Sequence, residues 1–223
     1  LFTMTGARAT MRLWNADGSA SELSGNGLRC LAAHVARVQG LTPGAVVRVE
    51  TGAGTKTLAL VSQAGARYTF RAAMGQPEDL RETELVAAGE TVRASVLRMG
   101  NPQCIVLGTL PAADRFHRLG PALATHGAFP AGTNVEFVEV EAPDRLRILI
   151  WERGVGPTTS SGTGSSASAV AAAAHGGSGR DVEVVAPGGS QRVEWTPEGV
   201  FLTGWAHIVL DGEWIGELDA HVS

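Results

Sequence analysis

The sequence predicts an α/β (α+β) fold of two similar halves, each a mainly antiparallel sheet curled around one central helix. Three observations carry that expectation: many short β-rich segments, few helical patterns, and an internal repeat that uses one strand–loop–helix design twice. With 223 residues, 44% of them hydrophobic, the chain can bury a sizeable core.

The strand expectation rests on runs rich in β-branched residues, many alternating with period two: Val46 to Glu50, Thr57 to Val61, Tyr68 to Arg71, Val92 to Val96, Asn134 to Val140, Leu146 to Trp151, Val182 to Val185 and Val200 to Leu202. A short strand is also expected at Arg12 to Trp14. The clearest helix carries Leu28, Leu31, Ala32, Val35 and Val38 on one stripe and closes at Gly40. A second is expected from Ser165 to His175, stopping at Gly176. Its small residues, Ala167, Ala169 and the run Ala171 to Ala174, would let it pack closely on all sides. A third candidate covers Ala112 to Thr125, with Pro121 interrupting it.

The repeat is the most informative feature. In the first half a strand ends at Trp14, and a loop leads to Ser24-Gly25-Asn26-Gly27, which opens a helix. In the second a strand ends at Trp151, and a loop of the same length leads to Ser161-Gly162-Thr163-Gly164, which opens another. Each half therefore offers a helix N-terminus with free N–H groups and roughly half a unit of positive charge. If the halves pack face to face, both ends can converge on one anion, and a carboxylate is the natural guest. A polar residue at each helix head, on opposite sides of that carboxylate, is the geometry for taking a proton from one face of a carbon and returning one to the other. Serine at either head also serves as a plain N-cap, and glycines between strand and helix as a plain turn.

Other classes are set aside by composition. The net charge of −4 gives no clustered cations for nucleic acid. Two cysteines, Cys30 and Cys104, without CxxC spacing suggest neither a disulfide framework nor a zinc site. No apolar run of about 18 residues and no signal-type start is present, so a soluble cytoplasmic protein without a membrane partner is expected. The chain starts at Leu1 and soon enters a strand-like run, which reads as the lack of an N-terminal piece.

Several stretches carry a wider resemblance: Asn15-Ala16-Asp17-Gly18-Ser19, Ser24-Gly25-Asn26-Gly27-Leu28-Arg29-Cys30, Met99-Gly100-Asn101-Pro102-Gln103-Cys104, Asn134-Val135-Glu136-Phe137, Glu152-Arg153-Gly154-Val155-Gly156 and Ser161-Gly162-Thr163-Gly164. In content and order they resemble the diaminopimelate epimerase family. The resemblance implies a two-domain protein, residues 1–95 and 96–223, with the last residues able to return to the first half and the site at the interface. It implies inversion of one α-carbon of LL-diaminopimelate to the meso form in lysine biosynthesis, without pyridoxal phosphate, metal or other cofactor. It is compatible with a homodimer.

Carried over by position, Ser24 and Ser161 stand at the two acid/base places, where the family pattern has cysteine. Asn15, Asn101, Asn134, Glu152 and Arg153 would hold the distal amino-acid end, and Gly25, Asn26, Gly162 and Thr163 would cradle the carboxylate at the reacting carbon. Asn brings both donor and acceptor, and Arg a planar fork for a second carboxylate. The family's histidine is Gln103 here, the common glutamate after Val155-Gly156 is Pro157, and the family's opening His-Gly-x-Gly-Asn-Asp-Phe-like segment has no counterpart. Serine is a far weaker acid than cysteine and needs a base beside it, for which Glu152 is the candidate near Ser161. A related racemase, epimerase or dehydratase, or a binding protein without turnover, would use the same shape.

Overall fold

The computed structural model of the chain describes residues 2–5, 8–14, 18, 20, 21 and 24–210. In chain order the elements are β1 (Phe2–Thr5), β2 (Arg8–Met11), β3 (Leu13–Trp14), β4 (Ala20–Ser21), α1 (Gly25–Val38), β5 (Val46–Thr51), β6 (Gly54–Ala64), β7 (Arg67–Gly75), β8 (Glu78–Ala87), β9 (Glu90–Arg98), β10 (Pro102–Leu107), α2 (Ala113–Ala124), β11 (Asn134–Ala142), β12 (Arg145–Glu152), β13 (Gly156–Thr158), α3 (Gly162–Ala171), β14 (Asp181–Ala186), β15 (Gly189–Thr196) and β16 (Gly199–His207). Among the described residues one long sheet runs β1-β2-β5-β6-β7-β16-β15-β14-β12-β11-β10-β9-β8, with β13 beside β12. The short β3–β4 ribbon stands apart.

The sheet is mainly antiparallel, and its parallel pairs are informative. They are β2 with β5, β10 with β11, and β12 with β14. Parallel neighbours need a crossover, and each of these pairs has a helix in its connection: α1, α2 and α3 respectively. Two of the units are alike. β2, α1, β5, β6 and β7 match β12, α3, β14, β15 and β16 in order and pairing. The two copies join where β7 and β16 pair antiparallel, as a two-fold axis between equivalent strands requires. The sequence repeat is therefore a repeat of architecture.

The central helices differ as their sequences require. α1 is amphipathic, burying Leu28, Leu31, Ala32 and Val35 against the sheet, and the chain turns away at Gly40 with φ +62°. Every residue of α3 is buried, which its Gly, Ser and Ala composition permits. α3 begins at Gly162, three residues before the expected Ser165, because Ser161 caps it, and it closes in a π-helical turn over Ala172–Gly176. α2 runs through Pro121 instead of stopping there. A proline ring is already near helical φ, and the lost hydrogen bond and the crowding of the His117 carbonyl are offset by the buried Phe116, Leu119 and Leu123 of the same helix.

α2 covers a second core cluster around Phe116, Leu119, Leu123, Val135 and Phe137. The Phe116 ring meets Phe137 and Trp151 edge-on, each pair of centroids 5.6 Å apart. Gly120 makes the fit possible, since a Cβ there would lie 2.6 Å from the Trp151 ring. This packing anchors the end of β12, from which Glu152 and Arg153 emerge. Gly120→Ala should therefore cost about 1–3 kcal/mol in urea unfolding, as overpacking does. Gly127→Ala, where no atom lies within 4 Å, should stay within about 0.5 kcal/mol of the parent.

Candidate active site

A serine heads each central helix. Ser24, in extended backbone, accepts the Gly27 N–H on its Oγ at 3.0 Å. Ser161 repeats the arrangement, accepting the Gly164 N–H at 3.1 Å. Both are N-caps. An oxygen held this way is also a better seat for negative charge, because the donated N–H and the helix's positive end both favour an anion. Capping and proton transfer are compatible uses of one hydroxyl.

The two helix heads touch through backbone. A Cβ built on Gly25 would lie 2.9 Å from the Gly162 Cα, and a Cβ on Gly162 would lie 2.9 Å from the Gly25 Cα. This reciprocity is what a two-fold contact gives. The Asn26 Nδ2 donates across the junction to the Ser160 carbonyl at 3.2 Å. In each helix the third and fourth N–H groups are taken by the capping serine's Oγ and carbonyl. The first two, on Gly25 and Asn26 and on Gly162 and Thr163, have no intrahelical acceptor. The four residues that carry them stand together at this junction.

That junction opens into a cavity of about 260 Å³. Ser24, Gly25, Asn26, Asn101, Asn134, Glu152, Arg153, Ser161, Gly162 and Thr163 all line it. These are the residues singled out in the sequence, except Asn15, which lies outside the described residues. Leu13, Trp14 and Val155 complete the wall; Trp14 and Val155 are exposed and stand as apolar edges beside a polar interior.

The amides far from the helix heads form a chain. With the Gln103 side chain oriented to suit its neighbours, its NH₂ donates to Glu136 Oε1 and Oε2 at 3.2 and 3.0 Å, and its carbonyl accepts from Asn134 Nδ2 at 3.3 Å. Asn134 Oδ1 accepts the Arg153 backbone N–H at 2.9 Å. The exposed Arg153 side chain donates from Nη1 to the Ala131 carbonyl at 2.7 Å and packs over Gly132.

A scan of family models matches residues 95–209 to the family described as diaminopimelate epimerase. The diaminopimelate epimerase of Desulforudis audaxviator is 40% identical over 96% of this chain and 82% of the relative. That of Heliobacterium modesticaldum is 38% identical over 96% of this chain and 81% of the relative. The solved hydroxyproline epimerase of Agrobacterium vitis, with bound trans-4-hydroxy-L-proline, superposes with a TM-score of 0.69 over 90% of this chain and 68% of its own, at 18% identity. The chain belongs to the diaminopimelate epimerase family.

In this diaminopimelate epimerase family member neither thiol is at the cavity. Cys30 is exposed elsewhere on α1, and burial, with the nearby Glu136 charge, pushes the Cys104 thiol up to about 12. The acidic groups lie on the Ser161 side. Burial raises the Glu152 carboxyl above its ordinary range, and a hydrogen bond with the Ser161 side chain opposes the rise. Glu136, fully buried on β11, is raised much further, by burial first and by Glu152 second. A Cβ on Gly164 would lie 2.4 Å from Glu136 Oε1 and 3.1 Å from Ser161 Oγ, so this glycine makes room for a carboxyl beside the serine. At the equivalent Gly27 the nearest atoms after Ser24 belong to the Met11 sulfur, at 3.5 Å. One serine is backed by acid, the other by a thioether.

Sequence reasoning named Glu136 only within a motif and gave it no role. A glutamate in a strand buried on both faces was the available signal, and β11 begins with five buried residues. The raised pKa of Glu136 has a direct consequence. The folded chain holds the Glu136 proton more tightly than the unfolded chain does. Its contribution to stability is full below the ordinary carboxylate range, about pH 4.3, and is lost as pH rises through the folded-state value. Unfolding at stepped pH should show the wild type losing stability above about pH 4 relative to Glu136→Gln. Parallel curves for the two proteins would contradict a tightly held proton.

Proposed function

We propose that this protein inverts one α-carbon of LL-2,6-diaminopimelate to the meso form, without a cofactor, by proton transfer on two faces, as a cytoplasmic enzyme of lysine biosynthesis. The observation that carries the reading is the meeting of two serine-capped helix heads at one polar cavity. The reacting carbon's carboxylate accepts from the free N–H groups of Gly25, Asn26, Gly162 and Thr163. Loss of the α-proton pushes further negative charge onto that carboxylate, where two helix N-termini stabilise it. Asn101, Asn134, Glu152 and Arg153, with Asn15, would hold the distal amino-acid end. A second carboxylate suits the guanidinium of Arg153, which keeps donors beyond the one on Ala131.

On one face, the Ser161 oxygen takes the α-proton as its own hydroxyl proton passes to the Glu152 carboxylate. On the other, the Ser24 hydroxyl delivers a proton to the carbon and regains one from solvent, while Glu152 releases its proton to solvent. The carbon ends with one hydrogen and the opposite configuration. The Ser161 side is the better supported, through Glu152. The Ser24 side has no such partner among the described residues, and Gln103 stands where the family pattern has histidine. Serine's weak acidity therefore sets a slow rate.

The poverty of the Ser24 side favours one second reading, a protein that binds the amino acid without turning it over. Incubation of LL-diaminopimelate in D₂O, followed by mass and chiral analysis, separates the two. Slow α-deuterium uptake with inversion is expected. Ser24→Cys together with Ser161→Cys should raise the rate by about 10²–10⁴-fold, the usual worth of a matched acid–base group, and single changes should do less. Arg153→Ala should weaken binding of diaminopimelate at least tenfold while leaving that of proline nearly unchanged. No exchange in the serine form or in the double cysteine form would leave the binding reading.

A further inference from the structure

We infer that Arg29 is a positioning residue of the carboxylate site, holding Asn26 across the junction of the two helices and placing a full positive charge behind their N-termini. The inference rests on the proposed function for the identity of the anion. Arg29 lies one turn inside α1 and is only 4% exposed. Its Nη2 donates to Asn26 Oδ1 at 2.6 Å, and Nε donates to the Trp205 carbonyl at 3.3 Å. With the Gln191 amide oriented to match, its carbonyl accepts from Nη2 at 2.6 Å and Nη1 at 3.2 Å, while its NH₂ reaches Ser165 Oγ at 3.0 Å.

All of these partners are neutral. Among the described residues no carboxylate forms a hydrogen bond or ion pair with this guanidinium. Burial lowers its pKa to about 10, since a buried site disfavours the charged form. An apolar side chain of similar volume would avoid that cost. The charge is compensated when an anion arrives at the hole that Asn26 lines.

The contacts also form a strap. Arg29 fixes the Asn26 oxygen, and the Asn26 nitrogen then points to Ser160, the residue before Ser161. The head of α1 is thereby tied to the entry of α3. Gly204 on β16 makes room for the guanidinium, since a Cβ there would lie 3.1 Å from Arg29 Nε. The repeat does not supply a counterpart: the position equivalent to Arg29 is Ser166, whose Oγ donates to the Gly162 carbonyl at 2.8 Å. One cation therefore serves both helix heads.

The test uses the whole chain with Arg29→Met and Arg29→Lys. Calorimetric titration with LL-diaminopimelate and D₂O exchange kinetics are read for each, beside NMR exchange protection of the Asn26 side-chain amide without ligand. Arg29→Met should raise Kd at least tenfold, lower the exchange rate at least tenfold and expose the Asn26 amide. Arg29→Lys, which keeps the charge and can still donate to Asn26, should recover most of both losses; a packing role alone would leave it no better than Met. If Arg29→Met does not fold, Arg29→Lys decides, with Kd expected within about threefold of wild type. Binding by Arg29→Met within twofold of wild type, or Lys as damaged as Met, would overturn the inference. If wild type binds no diaminopimelate, the functional reading fails; the Asn26 amide then decides positioning, and equal protection in wild type and Arg29→Met overturns it.

Discussion

The rest of this structure depends on the contact between Gly25 and Gly162. Two helices can bring their N-termini to one point only if nothing projects from either backbone there, and each glycine occupies the space a Cβ on the other would need. That approach sets the spacing of Ser24 and Ser161, which precede the two glycines. It also brings to one cavity the four residues whose N–H groups have no intrahelical acceptor. The sheet supports it from below, because β7 and β16 pair antiparallel at the same pseudo-two-fold axis.

A symmetric scaffold carries an asymmetric site. The Ser161 side is buried and has Glu152 and the fully buried Glu136 against it, while Ser24 is half-buried with the Met11 sulfur nearby. Arg29 belongs to the first helix only, and Ser166 stands in its place in the second. Such asymmetry suits the proposed chemistry, in which one face gives up a proton and the other supplies one. It also predicts which face limits the rate, since a hydroxyl without a base is a poor proton store.

Much of this was legible in the sequence because the informative features are local. Strand, loop, Ser-Gly-x-Gly and helix follow one another within about twenty-five residues, so a reader of periodicity meets them in order. The small residues of α3 announced a helix enclosed on all sides. What stayed hidden depends on partners distant in sequence. β8, an edge strand carrying Glu78, Asp79, Arg81, Glu82 and Glu84, has the charge of a surface segment and was not read as a strand. Glu136 and Arg29 were visible as letters in motifs, yet their burial comes from β11, β15 and β16 closing around them. Pro121 was read as an interruption because the rule for proline weighs the lost hydrogen bond and not the packing of Phe116, Leu119 and Leu123 that outweighs it.

The proposed chemistry requires one carboxylate shared by two helix N-termini, with its α-carbon between two serine hydroxyls. A crystal structure with LL-diaminopimelate bound tests this most directly. One substrate carboxylate is expected to accept from Gly25 or Asn26 N–H and from Gly162 or Thr163 N–H, with Ser24 Oγ and Ser161 Oγ on opposite faces of the adjoining carbon. A ligand held by one helix alone, or with both hydroxyls on the same face of that carbon, would contradict it.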